Sequence, residues 1–224
     1  MKKFFTILLI SLLAFSSFAD GYTIRDKAEV NSFDQIFMKK YDKTQDDAST
    51  VLEITAAVFP LVCFMAPGED HLEIGITYAE TMAVAFGLRC LFKGTVERTR
   101  PYMYFEGAPQ KDIDKGDAYK SFMSGHSIMT FAAAGFTTYT FLRYCPGSKW
   151  TAPVIAATWA LALGTATLRI TSGSHFMTDV LSGAAVGTAV GFLIPLMNSL
   201  WFAPSLKNSP IEVLGNGVAI KFQW

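Results

Sequence analysis

The chain has 224 residues, 51% of them apolar and only 17% charged, which suits one domain and makes a membrane-embedded protein the leading class. Its 19 basic side chains are matched by 19 acidic ones, so nothing in the charge calls for a nucleic-acid partner. Cys63, Cys90 and Cys145 lie in or at the ends of apolar runs without CxxC spacing; they read as small core residues and exclude a disulfide framework or a zinc site.

Lys2 and Lys3, an apolar run from Phe4 to Phe15, and Ser17-Phe18-Ala19 before Asp20 have the layout of a secretory signal peptide, with cleavage expected after Ala19. The apolar run is short for a membrane anchor, and no cysteine follows Ala19 to carry a lipid. Residues 20–48 are polar, but Phe33, Ile36, Phe37 and Tyr41 recur at helical spacing beside Lys39, Lys40 and Lys43. That pattern predicts a short helix, either lying in a lipid headgroup layer or packed on the domain surface.

Five apolar runs follow, at about 49–66, 72–92, 126–145, 150–168 and 177–201, each near the roughly 20 residues that a bilayer span needs. Glu53, Glu73, Glu80 and Arg89 interrupt the first two, and the last three are rich in small residues such as Gly183, Ala184, Gly187 and Gly191, which let helices approach closely. The expected fold class is all-α: a transmembrane bundle of about five core helices, with an N-terminal interfacial helix and a short C-terminal β-hairpin. The expected organisation is a signal peptide at 1–19, a helical domain at 20–202 and a tail at 203–224 whose turn falls at Asn216-Gly217.

The one long connection, 93–125, carries Lys, Arg, Asp, Pro and Gly, and long connections in compact chains are often functional. If all five runs cross, the ends at 92/93, 125/126, 168/169 and 176/177 fall on one side. Lys93, Arg98, Arg100, Ser124, His126, Arg169, His175 and Asp179 all sit at those ends. Taken singly, most have ordinary structural readings: Arg98 caps carbonyls or meets headgroups, and a His-Asp pair four apart is usually a structural hydrogen bond. Their co-occurrence on one face favours chemistry.

Lys93, Arg100 and Arg169 suit a multiply charged anion, since guanidinium forks match phosphate oxygens and an ammonium adds a point charge. Ser124-Gly125-His126 opens a helix, where free N–H groups and the helix dipole favour an anion and Gly125 has no side chain to keep it away. Asp179, one turn beyond His175, can fix that histidine's tautomer and leave a nucleophilic nitrogen. His126 is placed to act as general acid and then as general base.

Lys93-(six residues)-Arg100-Pro101, Ser124-Gly125-His126, and Arg169-(five residues)-His175-(three residues)-Asp179 together resemble the three-part signature of the phosphatidic acid phosphatase type 2 superfamily. That family includes lipid phosphatases, bacterial class A acid phosphatases and vanadium haloperoxidases. The resemblance implies that His175 attacks phosphorus to give a phosphohistidine, oriented by Asp179. It implies that His126 protonates the leaving oxygen and later activates water, while Lys93, Arg100, Ser124, Gly125 and Arg169 hold the phosphate, with no metal and no cofactor. The sequence departs from the family at Met123, where proline is usual, and at Leu168, where serine is usual.

The expected activity is hydrolysis of a lipid phosphate or diphosphate, with a phosphorylated lipid and the membrane as partners and no obligate protein partner. The signal peptide puts the site on the periplasmic face of a bacterial inner membrane, although the basic residues of 20–48 and 93–122 run against the positive-inside tendency. The alternatives are a soluble periplasmic acid phosphatase acting on small phosphomonoesters, a haloperoxidase, and a non-catalytic membrane protein with a relic site.

Overall fold

The computed structural model describes residues 23–65, 71–201, 211–214 and 217–220. The expected signal peptide at 1–19 lies outside the described residues. Among the described residues there are seven α-helices: α1 (Ser32–Phe37), α2 (Lys43–Val58), α3 (His71–Thr95), α4 (Gln110–Asp114), α5 (Gly125–Tyr144), α6 (Thr151–Thr171) and α7 (Met177–Trp201). A two-stranded antiparallel hairpin, β1 (Ile211–Leu214) and β2 (Gly217–Ile220), pairs Leu214 with Gly217. Gly217 is therefore a strand residue, not part of the turn expected at Asn216-Gly217.

The bundle is all-α with five long helices, as the apolar runs predict. The segments Lys43–Phe64, His71–Thr95, Thr151–Thr171 and Met177–Leu200 are long and apolar enough to cross a membrane. The fifth long helix, α5, is the central one and packs against α2, α3, α6 and α7. Its interior threonines Thr130, Thr137 and Thr138 each return the hydroxyl hydrogen to the carbonyl four residues back, so the apolar interior holds no stray donor there. Leu61, Leu72, Ile76, Phe86 and Leu91 face outward from the bundle, the surface expected of helices solvated by lipid.

The largest helix contact is between α5 and α7, which run parallel. A Cβ at Gly183 would stand 2.7 Å from the Ser124 carbonyl oxygen, one at Gly187 would meet the Ile128 carbonyl, and one at Gly191 the Ala132 carbonyl. Glycine every four residues thus brings the two backbones into direct contact. Helices α2 and α6 are antiparallel, with Leu52 against Gly164 and Asp46 against Arg169.

Helix α2 begins at Lys43, before the apolar run, because Asp42 caps it: its carboxylate accepts from the Gln45 amide at 3.1 Å and from the Gln45 side chain at 2.9 Å. Asn31 and Asp34 cap α1 in the same reciprocal way. In α1, Phe33 and Ile36 face outward while Asp34 is fully buried, and beyond the helix Tyr41 meets Tyr102 edge-on at 5.5 Å. The connection 96–124 is packed and ordered: Tyr102, Met103, Tyr104 and Ala118 form a small core with Val30, Met38 and Phe176 over the ends of α6 and α7. Cys63 and Cys145 are buried as free thiols, whereas Cys90 is exposed on α3, a departure from the core placement expected of it.

Candidate active site

The N-termini of α2, α5 and α7 and the C-termini of α3 and α6 meet at one end of the bundle, where the sequence concentrates its polar groups. His175 lies in the link between α6 and α7, which turns on Gly173 with φ of 71°; a Cβ there would collide with the Lys39 and Lys40 carbonyls. The His175 amide donates to the Arg169 carbonyl at 3.1 Å, and the side chain is 1% exposed. Burial, together with the Arg169, Arg100 and Lys93 cations, holds its imidazole well below the usual histidine range, so the ring is neutral at physiological pH.

Asp179 Oδ2 lies 3.7 Å from His175 Nδ1, in contact but beyond hydrogen-bond distance, and Nδ1 has no hydrogen-bond partner among the described residues. The Asp179 carboxylate instead accepts from Ser121 Oγ at 2.5 Å, from the Phe176 amide at 3.0 Å and from Arg98. Arg98 lies 4.3 Å over the Phe176 ring and also pairs with Asp34 at 2.7 Å. It therefore binds two buried carboxylates, where the sequence suggests a helix-end cap or a headgroup contact. Burial pushes the Asp34 carboxyl up, but hydrogen bonds from Thr178, Asn31 and Arg98 outweigh it and hold the group below its usual range.

The three expected cations arrive from separate elements: Lys93 from the last turn of α3, Arg100 from the residue before Pro101, and Arg169 from the last turn of α6. Arg169 is 3% exposed; it pairs with Asp46, donates to Ser49 Oγ at 3.1 Å, and has no partner for Nε among the described residues. Arg100 Nε donates to the Asp117 carbonyl at 2.9 Å. Lys93 is half-buried and has no ion pair among the described residues.

Ser124 is the N-cap of α5, its hydroxyl accepting from Ser127, and its own amide donates to the Asp179 carbonyl at 3.1 Å. Gly125 and His126 then occupy the first two helical positions, whose amides have no acceptor within the helix. A Cβ on Gly125 would stand 2.6 Å from Arg89 Nε, so this backbone is approached by a fourth cation. His126 Nε2 lies 3.1 Å from Glu53 Oε2 and 3.3 Å from Thr50 Oγ1, while Glu53 Oε1 accepts from Arg89 at 3.1 Å.

The sequence-selected residues, Arg98 among them, thus gather at one end, and the structure adds Asp34, Asp46, Glu53, Arg89 and Ser121 to the polar network. Glu53 and Arg89 have a sequence signal, since charges inside apolar runs are costly unless paired. Asp34 and Asp46 have none, because each sits in a polar stretch where carboxylates are ordinary.

Among curated proteins, none matches the sequence of this chain. In structure the chain is similar to the first transmembrane PAP2 type phosphatidylglycerolphosphate phosphatase from Bacillus subtilis, with 18% identity over 78% of this chain and 86% of that one and a TM-score of 0.54. At that identity the likeness concerns the fold. The family model of the PAP2 superfamily matches residues 74–202, more than half of the chain and all three parts of the motif set. The chain belongs to the PAP2 superfamily.

Proposed function

We propose that this protein is a membrane phosphatase that hydrolyses a lipid phosphate or diphosphate through a phosphohistidine. The observation that carries the reading is the meeting of a neutral, buried His175 with Lys93, Arg100, Arg169 and the start of α5. The cations and the Gly125 and His126 amides bind the phosphoryl oxygens and stabilise the charge that builds on them, so no metal takes part. His175 Nε2 attacks phosphorus as the ester P–O bond breaks, and His126 gives the leaving oxygen its proton. Water then attacks the phosphohistidine, His126 takes a proton from it, and the P–N bond breaks to release phosphate. Asp179, held by Arg98 and Ser121, lies near enough to His175 Nδ1 to orient the ring on a small closure.

The outward apolar side chains of α2 and α3 favour a lipid substrate over a small soluble phosphomonoester. Phosphatidic acid, phosphatidylglycerol phosphate, undecaprenyl diphosphate and lipid A phosphates are the candidates. The site faces the periplasm, as a cleaved leader before two crossings requires. The test is phosphate release from that lipid panel by the purified protein, with and without chelator, beside His175→Ala. Release that survives in His175→Ala overturns the mechanism, and release lost to the chelator overturns its metal independence.

A further inference from the structure

We infer that Glu53 is a positioning residue for the leaving-group step: it holds His126 by Nε2, so that Nδ1 is the nitrogen that gives and later takes the proton. The inference rests on the phosphohistidine reading above and adds to it a second histidine–carboxylate pair.

Glu53 lies on α2, a helix whose Val51, Ile54 and Val58 face outward, and its side chain is 15% exposed. A carboxylate in such a place is retained only if it is paired. Both of its oxygens are engaged, Oε2 at 3.1 Å from His126 Nε2 and Oε1 at 3.1 Å from Arg89. Arg89 fills the space beside Gly125 that a Cβ would take, and its bond to Oε1 anchors the carboxylate from α3 so that the other oxygen is presented to α5. The other carboxylate on α2 near the site, Asp46, is taken by Arg169 and by Ser174 at 2.7 Å. The Thr50 hydroxyl, 3.3 Å from the same nitrogen, gives its hydrogen to the Asp46 carbonyl, so both groups facing Nε2 are acceptors; an imidazole that keeps its Nε2–H toward them must exchange protons with a substrate through Nδ1.

The atoms balance. The cycle starts with His126 as the imidazolium, Nε2–H on the Glu53 carboxylate and a second proton on Nδ1; as the bond from His175 to phosphorus forms and the ester bond breaks, the Nδ1 proton passes to the leaving alkoxide and the ring becomes neutral while Nε2–H stays on Glu53. In the second step Nδ1 takes a proton from the attacking water as the P–N bond breaks, which restores the starting state.

The test compares kcat/KM for a short-chain phosphatidic acid, whose alkoxide needs a proton to leave, with kcat/KM for 4-nitrophenyl phosphate, whose phenolate does not. Because kcat/KM reports the steps up to the phosphohistidine, slow dephosphorylation does not mask the effect. Glu53→Gln is expected to lower the alkyl-to-aryl ratio by about tenfold or more, Glu53→Asp to recover part of it, and His126→Ala to lower it further. Equal losses on the two substrates in Glu53→Gln mark a merely structural role and overturn the inference, while the phosphatase reading stands if His126→Ala still shifts the ratio. An unchanged ratio in His126→Ala overturns the acid role of His126 and the Glu53 role with it. Should Glu53→Gln fail to fold, Arg89→Gln keeps the carboxylate but frees Oε1. It is expected to lower the ratio by about threefold, and no change in it overturns the inference.

Discussion

Asp34→Ala is expected to destabilise the protein by about 3 kcal/mol, although Asp34 lies in a six-residue helix on a segment with no recognisable motif. The carboxylate is fully buried and accepts from the Thr178 amide at 3.0 Å, Thr178 Oγ1 at 2.6 Å, Arg98 at 2.7 Å and Asn31 Nδ2 at 2.8 Å. Truncation leaves an amide in the first turn of α7 without its acceptor and takes one of two counter-charges from Arg98. Breaking a buried ion pair costs about 3–5 kcal/mol, and the lower end applies because Arg98 keeps Asp179 and is 24% exposed. Asp34→Asn keeps an acceptor for the Thr178 amide and loses only the charge, so about half that cost is expected. Thermal unfolding in a single detergent is the assay: about 6–12 °C lost for alanine and about half as much for asparagine. The folded carboxyl titrates below its unfolded value, so its contribution is full above about pH 4 and is lost as pH falls through the folded value. The gap between wild type and Asp34→Ala should therefore narrow on acidification. An Asp34→Ala protein that melts within about 2 °C of wild type at neutral pH refutes the reasoning.

Gly187→Val places side-chain atoms on the Ile128 carbonyl, and the α5–α7 contact must open; a loss of about 2–3 kcal/mol, read as a lower melting temperature, is expected, against little change for Gly94→Ala, where a Cβ meets nothing within 4 Å. His175 is held neutral when folded, so below about pH 6.5 the unfolded chain binds a proton that the folded one refuses. Stability should thus fall as pH drops from about 7 to 5, by less in His175→Gln; an equal slope in both proteins counts against the buried neutral imidazole.

The five long helices are legible because the apolar runs have membrane length, and the convergence of the site follows from counting crossings. Lys93, Arg100, Arg169, His126 and His175 are visible because each stands at the end of such a run. The start of α2 is not, since Asp42 and Gln45 place it ahead of the apolar residues by capping chemistry. The partners of the site residues are hidden for a related reason. His126 and Glu53 lie on different helices, and Arg98, in the connection after α3, is far along the chain from Asp34 on α1, so no periodicity links either pair. Arg98 shows the effect most clearly: beside a membrane face it reads as a headgroup contact, and only the fold reveals the two carboxylates beneath it.

The hydrogen bond from the Ser124 amide to the Asp179 carbonyl joins the start of α5 to the first turn of α7 through main-chain atoms alone. Replacing either side chain leaves that tether in place, and the glycine contacts below it are equally indifferent to what residues 124 and 179 carry. The separation of the two halves of the site is in this sense independent of the reagents mounted on it. Rates measured for Ser124→Ala or Asp179→Asn therefore report the loss of a functional group at a conserved spacing, while a shift in spacing has to be introduced at the glycines, some distance from any reacting atom.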